Sequence, residues 1–142
     1  MSWAVRRDAV RTIVLATNPY WPFTYCNRWP YALALRMLVR ALRHTREIRS
    51  IYVRRSEARP WVPALSDIDL TLVLERGLPA EREFGVLEFV WETYDRLKRA
   101  FPMLGEMVIL DEEEVSAWLT WTTNSPAGPS LSLLHGDSLP DR

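Results

Sequence analysis

Ser66-Asp67-Ile68-Asp69-Leu70-Thr71-Leu72-Val73-Leu74-Glu75 has the alternation of a β-strand. Apolar Ile68, Leu70, Leu72 and Leu74 alternate with Asp67, Asp69, Thr71, Val73 and Glu75, the two-residue period of a strand with one buried face. On such a strand Asp67 and Asp69 point the same way, about 6 to 7 Å apart. Their carboxylates repel each other unless a cation sits between them, and oxygen-only ligands suit Mg²⁺ or Mn²⁺. The plainer reading makes the pair the solvated start of an amphipathic strand, because Asp is depleted inside strands but common at their ends.

Upstream, Ile51-Tyr52-Val53-Arg54-Arg55-Ser56-Glu57-Ala58-Arg59 reads as a strand running into a polar turn, with ten residues between Ser56 and Asp67. A strand, a turn carrying a small hydroxyl residue, a short link and a second strand opening with Asp-x-Asp together resemble the nucleotidyltransferase superfamily typified by DNA polymerase beta. The family pattern is Gly-Ser, about ten residues, then Asp-x-Asp. Ser56, Asp67 and Asp69 fall on it, and Ser56-Glu57-Ala58-Arg59 is similar to the Ser-Arg-Ala-Arg that often follows the family's glycine. The likeness spans roughly residues 31 to 115. It implies an α/β (α+β) fold, a mixed sheet flanked by helices.

For the site, the resemblance implies Asp67 and Asp69 as catalytic metal ligands for Mg²⁺ or Mn²⁺. It implies Arg55, Ser56, Arg59 and Ser66 as nucleotide-binding residues, and a nucleoside triphosphate such as ATP as substrate. One departure stands out: the family's glycine is Arg55 here. A side chain at that turn restricts positive φ and fills space beside the ligand. Either its guanidinium meets a phosphate oxygen or the pocket is partly closed. The family's third carboxylate comes from the next strand, where Glu106 is the first candidate and Asp111 its rival. Asp111 with Glu114 also makes a capping box for the following helix.

Around this centre the chain divides into an aromatic, proline-rich extension (1–30), a nucleotidyltransferase-like domain (31–121) and a flexible tail (122–142). Its 142 residues, 48% hydrophobic and 25% charged, suit one globular domain. No apolar run of about 18 residues suggests a membrane span. The apolar run from Val10 to Ala16 is broken by Arg11 and lacks a cleavage site, which argues against a secretory signal. Cys26 is the only cysteine, so an intrachain disulfide and a cysteine metal cluster are excluded, and a cytoplasmic setting fits. The chain is neutral overall, yet residues 1–60 hold twelve arginines against Asp8, Glu47 and Glu57, a local charge of +9. That asymmetry suits an anionic partner or a solvated helix face.

Pro30 suits a first helical position, and Tyr31 to Thr45 reads as a helix with Leu35, Leu38 and Leu42 on one face and Arg36, Arg40 and Arg43 on another. The aromatics of Asn18 to Tyr25 suit covering an open face of the core, or stacking on a base. Gly77-Leu78-Pro79 marks a turn. Ala80 to Phe101 reads as a long helix packing through Phe84, Leu87, Trp91, Tyr94 and Leu97. A third strand over Gly105 to Leu110 and a last helix to about Trp121 follow. Three functions compete: an active nucleotidyltransferase with a protein, small-molecule or nucleic-acid acceptor; a degenerate member serving as a nucleotide-binding or regulatory module; and a basic nucleic-acid-binding module using Arg36, Arg40 and Arg43.

Overall fold

The computed structural model describes residues 12, 13, 15–20, 22–56, 62, 65–123 and 129–138. Its element order is α1 (Phe23–Leu42), β1 (Ile48–Ser56), β2 (Ile68–Leu74), α2 (Ala80–Ala100), β3 (Leu104–Asp111), α3 (Glu112–Thr123) and β4 (Pro129–Gly136). The four strands form one mixed sheet in the order β3-β2-β1-β4. β1 runs antiparallel to β2 and β4, and β2 runs parallel to β3. Parallel neighbours need a crossover, and α2 supplies it. The protein is therefore an α+β fold, a mixed sheet flanked by helices, the fold class expected for it. No described helix is long and apolar enough to cross a membrane.

Helix α1 buries Tyr31, Ala34, Leu38 and Leu42, one residue every three or four positions, and leaves Arg36, Arg40 and Arg43 exposed. It starts at Phe23, well before the predicted Tyr31, so Pro30 lies inside the helix. Proline has no N–H to offer Cys26 four residues back, a cost that burial of the following turns offsets. The aromatics predicted to cover the core do not do so where they are described: Tyr20, Phe23 and Tyr25 are exposed.

Helix α2 also differs from the prediction. Its buried residues are Val86, Val90, Thr93, Tyr94 and Leu97, whereas Phe84 and Trp91 are exposed. Two apolar stripes at helical spacing overlap in this sequence, and the sheet accepts the one with the compact β-branched valines. Together α1 and α2 pack on Ile51, Val53, Ile68, Leu70 and Leu72, the main core.

Strand β2 is not the one-sided strand its alternation predicts. Ile68 and every residue from Leu70 to Leu74 are buried, and only Asp69 is partly open. The second face is covered because Val115 of α3 packs with Val73 and Tyr52. Segment 129–136, predicted as tail, is strand β4, paired with β1 from Ser50 to Ser56. Serine and leucine alternating over Ser130-Leu131-Ser132-Leu133 carry the two-residue period there.

Candidate active site

Asp67 immediately precedes β2 and Asp69 is its second residue, and both line one cavity of about 720 Å³ beside β3 and α2. The predicted common orientation of the pair is thus present. The loop before Asp67 is tied down twice. The buried Tyr31 of α1 donates its hydroxyl to the Ser66 carbonyl at 2.7 Å, and the Ser66 hydroxyl accepts the Val62 N–H at 2.9 Å. Ser66, a predicted nucleotide contact, therefore has a loop-closing part. The segment that leads into Asp67 is thus anchored through its neighbour Ser66.

Opposite Asp69 the sheet is irregular. Ile68 pairs with Leu104 and Leu70 with Met107, so β3 sets two residues, Gly105 and Glu106, against the single Asp69. This is a β-bulge, a device that re-aims side chains next to functional sites. The Glu106 N–H, freed from the ladder, donates to Asp69 Oδ1 at 2.9 Å. A glycine is required beside it: a Cβ on Gly105 would lie 2.5 Å from Asp69 Oδ1 and 2.8 Å from Asp67 Cβ. The Gly105 carbonyl accepts the Tyr94 hydroxyl at 2.9 Å and Lys98 Nζ at 2.8 Å, which joins α2 to the bulge.

Arg54 is the residue the sequence reading missed. It sits directly across the ladder from Asp69, with its side chain only 15% exposed, and its Nη2 donates to Glu106 Oε2 in an ion pair. Successive strand residues face opposite ways, so Arg55 lies on the other face of the sheet, and it is exposed. The arginine that reaches the acids is therefore Arg54. Alternation along Tyr52, Arg54 and Ser56 is the signal that could have found it. Ser56 ends β1, while Arg59 lies outside the described residues.

The two candidates for a third acid separate cleanly. Glu106 is beside Asp69, although its carboxylate is held by Arg54. Asp111 pairs with Leu74 at the far end of β2 and caps α3: the Glu114 N–H donates to Asp111 Oδ1 at 2.8 Å, and the Asp111 N–H donates to Glu114 Oε2 at 3.0 Å. The capping box thus accounts for Asp111.

The field in the cavity is negative. Tyr94 has its hydroxyl pKa pushed up to about 12, first by burial and then by the charges of Asp69, Asp67, Asp95 and Glu106. Among the described residues no three His, Cys, Asp or Glu side chains converge as a metal-ligand set. Two carboxylates in one cavity nevertheless fit Mg²⁺, which is commonly held by one or two carboxylates with the remaining places filled by water and substrate phosphates. The class the fold and cavity define is thus an α+β domain with a paired-carboxylate site at a sheet bulge. Compared with protein-family models, curated proteins and solved structures, the chain matches none.

Proposed function

We propose that this protein is a divalent-metal-dependent nucleotidyltransferase that moves a nucleoside monophosphate from a triphosphate, ATP in the first instance, to a hydroxyl acceptor. The observation that carries the reading is the shared cavity of Asp67 and Asp69, set by a strand that follows Ser56 at the spacing of the nucleotidyltransferase pattern. Asp67 and Asp69 would hold Mg²⁺, which when bound offsets phosphate charge and acidifies an attacking hydroxyl. The acceptor oxygen bonds the α-phosphorus as the α–β bridging P–O bond breaks. Pyrophosphate leaves, and the hydroxyl proton passes to a carboxylate. Tyr31 and the Glu106 N–H hold the two acids in place, so little reorganisation is needed when charge develops. A cytoplasmic setting, where nucleoside triphosphates are plentiful, accords with this chemistry.

The ion pair between Arg54 and Glu106 favours a second reading, a nucleotide-binding or regulatory module without turnover, since it occupies the carboxylate of the first candidate for a third acid. Incubation with α-labelled ATP and Mg²⁺ separates the two: label transferred to an acceptor supports the enzyme, and binding without transfer supports the module. Asp67→Asn and Asp69→Asn are each expected to weaken Mg²⁺-dependent ATP binding at least about tenfold, a loss of roughly 1.4 kcal/mol. Unchanged binding in both variants would remove the metal assignment.

A further inference from the structure

We infer that Arg54 is a resident cation of the acidic site, so that the site takes a single divalent ion and leaves the place of a second to the guanidinium. This rests on the nucleotidyltransferase reading above and adds the metal count and the role of Arg54. Three observations carry it. Arg54 lies opposite Asp69 in the ladder, is largely buried, and forms its ion pair with Glu106, which is itself one of the two bulge residues facing Asp69. One carboxylate oxygen of Asp69 already accepts the Glu106 N–H, so Asp69 has less to offer two metals. The acids of the row, Asp67, Asp69 and Glu106, carry three negative charges; Arg54 reduces these to two, the charge of one divalent ion. Asp95 and Lys98, of opposite charge, also line the cavity.

A second dication bound through Glu106 would have to lie beside the Arg54 guanidinium, and like charges repel. Arginine is suited to the substitute role: it stays charged, and its fork of donors matches a phosphate as well as a carboxylate. Held by Glu106 at the edge of the acidic row, Arg54 supplies, from the chain itself, charge that a second metal would otherwise bring.

The test is a count of Mn²⁺ in the full-length protein with a non-hydrolysable ATP analogue, by anomalous diffraction and by electron paramagnetic resonance. Wild type is expected to show one manganese at Asp67 and Asp69 and an uncoupled six-line spectrum. Arg54→Gln is expected to show two manganese ions and a spin-coupled spectrum, and Arg54→Lys, which keeps the charge, is expected to show one. Two coupled ions in wild type would overturn the inference and leave the metal-dependent reading standing. One ion in Arg54→Gln would likewise overturn it. No manganese at the acids of wild type would overturn both. If Arg54→Gln does not fold, as its thermal melt would reveal, wild type and Arg54→Lys decide: one ion in each supports the inference, and two in either overturns it.

Discussion

Gly105 gives the site its shape by lacking a side chain. A Cβ there would overlap the Asp69 carboxylate and crowd Asp67, so Gly105→Ala has to push the bulge away from the pair it serves. Overpacking of this kind costs about 1–3 kcal/mol, to be read as a lowered denaturant midpoint. The same displacement lengthens the hydrogen bond from the Glu106 N–H to Asp69. Slower exchange of that amide than of its neighbours in wild type, lost in Gly105→Ala, would confirm the connection. In the sequence Gly105 reads only as the first residue of the third strand, because nothing local says that two carboxylates from another strand lie against it.

Strand β2 carries a tension at the level of the element. Its alternation suits a strand wet on one side, yet α3 covers that side beyond Asp69, and the hydroxyls of Thr71 and of Ser50 on β1 are buried without a hydrogen-bond partner. An unpaired buried hydroxyl is costly, whereas an apolar group of the same shape is not. Thr71→Val is therefore expected to raise stability by about 1 kcal/mol, measured as a higher urea midpoint with unchanged slope. A decrease would show that the hydroxyl has a partner. Helix α2 illustrates a related limit: Phe84, Leu87 and Trp91 recur at helical spacing as well as Val86, Val90 and Leu97 do, yet Phe84 and Trp91 are exposed. The sheet it packs on selects between them.

Across the whole molecule the basic first half and the acidic second half are stitched together: Arg49 pairs with Glu112 and Arg54 with Glu106. Arg82 of the second half lies 3.8 Å from Glu47 of the first, a link of the reverse sense. Arg36, Arg40 and Arg43 remain exposed on α1. If they served nucleic acid, affinity would fall steeply with salt; the enzyme reading expects only weak, salt-sensitive binding there. Tyr94 links the site to global stability. Its hydroxyl titrates near 12 when folded against 10.0 ordinarily, so between these values the native state keeps a proton that the unfolded chain has lost. Its stabilising part is complete below pH 10 and lost as pH rises towards 12. The difference in unfolding free energy between wild type and Tyr94→Phe should shrink or reverse sign across that window, and a constant difference would refute the assignment. By itself the sequence determined the strands β1 to β3, the helix α2 between β2 and β3, the common orientation of Asp67 and Asp69, and the cap at Asp111, since each follows from the period or hydrogen-bonding of adjacent residues. Only the tertiary structure decided that Arg54 meets Glu106, that Gly105 bulges against Asp69, that α3 buries the second face of β2 and that Pro129–Gly136 completes the sheet, because these depend on which residues distant in the chain come to share one face.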